Sequence, residues 1–219
     1  MPFPKMASSR LHAFATLLVT IVASITLFPL FIPDAAHLAV GRLMMAVVLF
    51  LSLWAAGMRP RTLLFFSPAF LAYALAVNAD GMNFRVLVVI LRAFVIGYAT
   101  VLIIWHILRA EKVTGDMIAG AACAYALTAI TWANFYELLE ILRPGSFDIP
   151  SSWLLKPTGD PLLALQYFSF TTLTTVGYGD IHPMDIRGGG LAIGEAVVGQ
   201  LYVAIMIARL VALQLVQRP

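Results

Sequence analysis

Long apolar stretches dominate this chain, and they limit it to folds that a lipid bilayer can surround. A helix needs about 20 residues to cross a hydrocarbon core of roughly 30 Å. Hydrophobic residues make up 61% of the 219 positions, only 11% are charged, and the mean hydropathy is +0.92, which excludes an ordinary soluble domain. We therefore predict an all-α membrane protein. Its six predicted transmembrane helices lie at about residues 11–32, 38–57, 62–78, 84–108, 115–142 and 188–213.

Lysine and arginine are spread unevenly over the segments that join these stretches. Cytoplasmic loops are enriched in both residues, and with six alternating spans most of them fall on one side. This distribution predicts a multi-pass protein of the cell membrane with both termini in the cytoplasm. The basic residues on the predicted cytoplasmic side are Lys5, Arg10, Arg59, Arg61, Arg109, Lys112 and Arg218, and the outer-side exceptions are Arg143, Lys156 and Arg187.

The sequence has no motif for catalysis or resident metal binding. It contains no nucleophile elbow, no phosphate-binding glycine loop and no cluster of metal ligands, so we predict that the protein is not an enzyme. Cys123 is its one cysteine and lies in an apolar stretch, so it forms no intrachain disulfide. The net charge of +3 is small and the basic residues are scattered, so we expect membrane lipid and no nucleic acid as a partner.

Residues 174–180, "TTVGYGD", form a polar segment between two long apolar stretches. About 14 apolar and hydroxyl residues, from Pro161 to Thr174, lead into this segment. They are too few to span a bilayer but suffice for a half-membrane helix. Asp160 is placed to cap that helix and Pro161 to open it. Irregular backbone at membrane depth is tolerated only when it is buried in protein or lines a water-filled pathway. The segment therefore predicts a re-entrant loop beside such a pathway.

The heptapeptide "TTVGYGD" resembles the selectivity filter of the tetrameric potassium channel superfamily. The resemblance implies that K+ exchanges its water shell for protein oxygens, with the Thr175 hydroxyl at the innermost position, and it implies no cofactor beyond K+. Gly177 and Gly179 provide left-handed dihedrals, which let successive carbonyls face one axis. The implied K+ ligands are oxygens of Thr175, Val176, Gly177 and Tyr178, and the Val176 and Tyr178 side chains are expected to pack on the pore helix.

A single filter-like segment supplies only a quarter of a ring, so the resemblance implies a homotetramer with four-fold cyclic symmetry. It also implies two domains. Residues 1–110 would form four transmembrane helices similar to a voltage-sensor fold without gating charges, and residues 111–219 would form the pore domain. The implied parts of the pore domain are an outer helix at 113–142, a turret at 143–160, a pore helix at 161–174, the filter at 175–180 and an inner helix at 188–216.

Four residues around the filter have predicted supporting roles. Asp180 directly follows the filter and is a candidate for concentrating cations at the outer mouth. In the family this aspartate also bonds an aromatic residue, and Tyr167 is at the position where many members have tryptophan. Glu195 is expected behind the filter, hydrogen-bonded to the loop, as a structural anchor or alternatively a pH sensor. Gly199 is either the inner-helix hinge or, like Gly194, a small residue for close packing.

The fourth apolar stretch lacks the charge ladder of a voltage sensor, in which arginine or lysine recurs at every third position. Its arginines are Arg85, Arg92 and Arg109, and none are three residues apart. The joint to the fifth stretch is about five residues, which is too short for a long linker helix. We therefore expect weak or absent voltage dependence, with the first four spans packed beside the pore of their own subunit.

Four charged residues keep two interpretations each. Arg42 and Arg92 could bind lipid headgroups, or they could contact Glu137 or Glu140. The two glutamates could in turn concentrate cations at the mouth, or they could belong to a solvated helix end. The sequence does not choose between these interpretations.

The resemblance implies a potassium-selective channel that conducts K+ passively down its electrochemical gradient. One alternative is the membrane subunit of a potassium uptake transporter, a family that normally has four unequal filter-like loops in one chain. A second alternative is a non-conducting membrane sensor or scaffold. The one intact loop in 219 residues argues against the transporter. The sequence leaves the gating stimulus open among the filter itself, lipid tension, pH and a helix crossing below Gly199.

Overall fold

The structure is a computed structural model that describes residues 13–31, 37–55, 81–110, 113–154 and 161–217. Within these ranges the chain is mostly helical. The predicted third span, residues 62–78, lies outside the described residues, as does Asp160. The helices are α1 (Ala13–Thr26), α2 (Phe28–Phe31), α3 (His37–Ala55), α4 (Met82–Arg109), α5 (Gly115–Leu142), α6 (Leu162–Leu173) and α7 (Ile186–Gln217); a 3-10 turn covers Ser151–Trp153, and the short strands are β1 (Phe147–Asp148) and β2 (His182–Pro183).

Three of the described helices have the length and apolar composition to cross a membrane. They are α4, α5 and the Ile186–Leu215 part of α7. The first two predicted spans correspond to shorter apolar helices among the described residues, namely α1 and the Leu43–Ala55 part of α3. These helices support a membrane protein, while the count of six spans stays a prediction.

Helix α5 lies at the centre of the packing, with α1, α4, α6 and α7 all in contact with it. Small residues in its first half allow close approach of a neighbouring helix. A Cβ on Gly120 would lie 3.2 Å from the ring of Phe14, and Cys123 Sγ donates a hydrogen bond of 3.1 Å to the Phe14 carbonyl. α1 is therefore attached directly to the outer helix of the predicted pore.

Two apolar clusters hold the described helices together. In a bilayer such clusters are stabilised by close van der Waals contact, because lipid tails are as apolar as the side chains. The larger cluster joins α1, α3, α4 and α5, and its fully buried members include Leu17, Ile21, Leu53, Ile96, Ile103 and Leu127. The smaller cluster joins α5, α6 and the segments beside them, through Tyr136, Phe147, Ala164, Leu165, Phe168 and Ile181.

The strands β1 and β2 join the predicted turret to the segment that follows residues 174–180. They pair antiparallel, with Phe147 opposite Pro183 and Asp148 opposite His182. The carboxylate of Glu140 accepts hydrogen bonds from the backbone amides of Gly145 at 2.7 Å and Phe147 at 3.2 Å. Glu140 therefore stabilises the turn after α5, a role that neither interpretation of the sequence included.

Candidate functional site

Residues 174–180 leave the end of α6 as an exposed loop in the single chain. Gly177 has φ +54° and Gly179 has φ +79°, so both adopt the left-handed backbone that the sequence predicts. Thr175 also has a positive φ, of +61°. A β-branched residue rarely adopts this conformation, and no pattern in the sequence indicates it. Positive φ thus recurs at every second residue of the loop.

The start of the loop is hydrogen-bonded to the last turn of α6. Thr175 N–H donates to the Thr172 carbonyl at 3.0 Å. The amides of Val176 and Gly177 both donate to the Thr171 carbonyl, at 2.9 and 3.2 Å. Three successive amides are satisfied by the helix end, which fixes the direction of the backbone as it leaves α6.

Aromatic side chains lie between the loop and the turn before α6. The Tyr167 hydroxyl donates a 2.9 Å hydrogen bond to Asp180 Oδ2, so the expected bond is present with tyrosine in place of tryptophan. The ring of Tyr167 is stacked parallel to that of Tyr178, with centroids 6.3 Å apart, and it lies 4.4 Å from the ring of Trp153. The contact between Trp153 and Tyr167 depends on the tertiary fold, since the two residues lie in different segments.

Glu195 is fully buried and forms hydrogen bonds with α5 and α6. The Tyr136 hydroxyl donates to Glu195 Oε2 at 2.5 Å, and Ser169 Oγ lies 2.5 Å from Oε1. We call Tyr136, Ser169 and Glu195 the carboxyl cluster. The hydrogen bond that the sequence predicts between Glu195 and the re-entrant loop is thus formed with its helical part, α6, while the role of Glu195 as anchor or pH sensor stays a prediction.

Proton counting constrains the carboxyl cluster. Ser169 Oγ also lies 2.6 Å from the Ala129 carbonyl, and a hydroxyl has one proton to donate. If that proton goes to Ala129, a protonated Glu195 completes the set by donating to Ser169. The hydroxyl of Tyr136 supplies the remaining hydrogen bond to the carboxyl. A group at position 195 that both donates and accepts would satisfy all of these contacts.

Gly199 lies directly against the end of α6. A Cβ at this position would be 2.5 Å from the Leu173 carbonyl oxygen and 3.0 Å from Leu173 Cδ1. The same carbonyl accepts a 2.9 Å hydrogen bond from the Tyr125 hydroxyl. α7 runs through Gly199 as one continuous helix. Of the two interpretations, close packing therefore has direct support. Gly194 is similar, because its added Cβ would be 3.1 Å from Trp132 Cη2.

Arg92 and Glu137 contact each other in the interior between α4 and α5. Arg92 thus has the glutamate partner that was one of its two interpretations. Glu137 is buried, so it does not belong to a solvated helix end or to the mouth of a pore. The structure does not describe the side chain of Arg42.

Residues 156–214 match the family model described as ion channel. The matched range contains α6, the loop and nearly all of α7, and it supports assignment of this part of the chain to an ion-channel superfamily. The helices α1 to α5 lie before it. No match was found among curated proteins.

Proposed function

We propose that the protein is the subunit of a homotetrameric potassium channel of the cell membrane that conducts K+ passively. The observation that carries this proposal is the loop at residues 175–179, in which φ is positive at Thr175, Gly177 and Gly179 and the first amides are bound to the end of α6. The match of the surrounding segment to an ion channel family supports it.

The loop backbone suits a dehydrated monovalent cation. Backbone in which every second residue has a positive φ can direct successive carbonyl oxygens to one side. Neutral carbonyl dipoles can replace the water shell of K+ without trapping the ion as a full negative charge would. In this proposal the K+ ligands are oxygens of Thr175, Val176, Gly177 and Tyr178, and Gly179 completes the turn.

Exposed surfaces support assembly into a tetramer. In the single chain the Val176 side chain is 51% exposed and that of Tyr178 is 71% exposed. Large apolar residues along α7, such as Ile193 and Leu201, are also exposed. Four chains around one axis would cover these surfaces and close the ring of carbonyls, since a four-fold cyclic arrangement repeats one heterologous contact.

Negative charge at both ends of the loop favours the binding of a cation. The carboxyl end of α6 lies just before Thr175, and the partial negative charge of a helix carboxyl terminus stabilises cations. Asp180, exposed at the opposite end of the loop, adds negative charge at the outer mouth. α4 carries no arginine ladder, so we propose weak or absent voltage dependence.

Flux measurements on purified protein in liposomes test the proposal. We expect K+ gradients to drive flux that Na+ gradients do not support, with an ohmic dependence on voltage. Flux that needs a second coupled ion would favour a transporter instead. Intact tetramers without any flux would favour a sensor or scaffold, and either result would overturn the channel.

A further inference from the structure

A buried polar group joins α4 to α5 within otherwise apolar surfaces. Arg92 Nε donates to Asn134 Oδ1, and Arg92 Nη2 donates to Glu137 Oε2. Arg92 is 4% exposed, and the other two side chains are also buried. Asn134 Nδ2 donates to the Ile130 carbonyl at 2.5 Å, which sets the orientation of the amide. We call Arg92, Asn134 and Glu137 the arginine group.

The arginine group and the carboxyl cluster share one turn of α5. Tyr136 directly precedes Glu137, and successive residues point about 100° apart around a helix. Glu137 thus contacts α4 while Tyr136 donates to Glu195 behind α6. Because the hydrogen-bonded backbone of α5 joins the two residues, the turn cannot shift on one side without shifting on the other.

We propose that Arg92 is a positioning residue for the pore helix. It holds α4 against the turn of α5 that carries Tyr136, and through the carboxyl cluster that turn fixes the position of α6. The inference rests on the proposed function, since α6 bears on ion selectivity only if residues 175–179 bind K+. It assigns a task to the helices that precede the matched ion channel segment.

Charge burial explains why the contact resists separation. Sliding α4 along α5 would leave a guanidinium and a carboxylate unpaired in surroundings of low polarity, which is strongly unfavourable. Guanidinium suits this place because its planar fork donates to two acceptors at once. α4 is therefore bound to the pore helix scaffold by charge, and Arg92 does not act as a mobile gating charge.

Hydrogen exchange on the tetramer tests the proposal. Arg92→Met removes the guanidinium from the arginine group. Arg85→Met is the matched control, because it removes an exposed arginine of the same helix. We expect Arg92→Met to speed amide exchange several-fold along α6, while Arg85→Met leaves α6 unchanged. A change confined to α4 and α5 would overturn the proposal, because it would mean local stabilisation only.

A second variant tests whether Arg92 acts on α6 through Tyr136. Tyr136→Phe removes the hydroxyl that donates to Glu195. If Arg92 acts through Tyr136, the effect of Arg92→Met on α6 should shrink markedly in the Tyr136→Phe background, because contacts in one network are not additive. Equal effects in both backgrounds would overturn the route.

Arg92→Lys is a milder variant that still tests the proposal if Arg92→Met does not assemble. Arg92→Lys keeps the charge but lacks the fork that reaches both Asn134 and Glu137, so we expect intermediate exchange at α6. Wild-type exchange in that variant would overturn the proposal. Exchange does not depend on ion flux, so wild-type protein without K+ flux would overturn the proposed function alone, and the exchange result would still decide whether Arg92 positions α6.

Discussion

The two sides of α5 are held by different chemistry. Toward α4 the contact is a buried pair of full charges, Arg92 and Glu137. Toward α6 and α7 the contact is the Glu195 carboxyl of α7 with two hydroxyls, and Gly199 of α7 lies against the Leu173 carbonyl at the end of α6. Replacing either charged residue alone is strongly unfavourable, because its partner is then left buried and unpaired. On the α6 side we expect the position of hydrogen-bonding groups and the absence of Cβ atoms to matter more than charge, and variants can test this difference.

The largest effect is expected at Gly177. Gly177→Ala places a Cβ at φ +54°, a left-handed conformation that costs an L-residue about 1–2 kcal/mol in each subunit. We expect selective K+ flux to be lost in liposomes. Gly189→Ala is the matched control, because this glycine has a helical conformation with no atom within 4 Å of an added Cβ. Wild-type selectivity in Gly177→Ala would contradict a backbone-ligand site.

A smaller effect on K+ flux is expected at the contact between α7 and α6. Gly199→Ala would put a Cβ 2.5 Å from the Leu173 carbonyl, and relieving such overpacking costs about 1–3 kcal/mol. We expect the tetramer to dissociate at a lower temperature in detergent. Gly190→Ala, which meets no atom within 4 Å, should not have this effect. Altered channel opening with unchanged stability would instead favour the hinge.

Position 195 tests whether the carboxyl cluster needs charge. Glu195→Ala leaves the hydroxyls of Tyr136 and Ser169 without this partner, which costs about 1–3 kcal/mol. Glu195→Gln should lose less, because its amide both accepts from Tyr136 and donates to Ser169. Thermal dissociation of the tetramer compares the two. Equal losses would show that the negative charge matters and would remove the contrast between the two sides of α5.

The smallest effect is expected behind the loop. Tyr167→Phe removes the hydrogen bond to Asp180 and keeps the ring, for a loss of roughly 0.5–1.5 kcal/mol. We expect K+ currents to decline faster during sustained recording. Tyr167→Trp retains an N–H donor and should decline more slowly than Tyr167→Phe. Identical decline in wild type and both variants would show that the bond does not steady the loop.

Local patterns predicted several parts of the site. Pro161 lies at the cap position just before α6 and not at the first helical position that the sequence predicts. The predicted helices 113–142 and 161–174 agree with α5 and α6 to within two residues. Gly177 and Gly179 have the expected backbone because only glycine adopts it without strain. The positive φ of Thr175 was missed, since it arises from hydrogen bonds to α6 that local preference does not include.

Partners between helices could not be predicted in the same way. The sequence placed Glu195 behind the filter, but it could not select Tyr136 and Ser169, which lie 59 and 26 positions away. It left Glu137 and Glu140 equivalent, although one is paired inside the protein and the other binds turn amides. Rotation of a helix about its axis by one residue changes which partner a polar side chain meets. The apolar pattern of a membrane helix specifies this rotation only weakly.

The sequence by itself determined that this chain is built for lipid, and it predicted that one segment uses its backbone oxygens as ligands, because length, hydropathy and glycine conformation are local properties. Tertiary structure decided what holds that segment in place. Burial removes water as a partner, so each polar group in the interior must find another, and only the packing of α4, α5, α6 and α7 determines which one it meets.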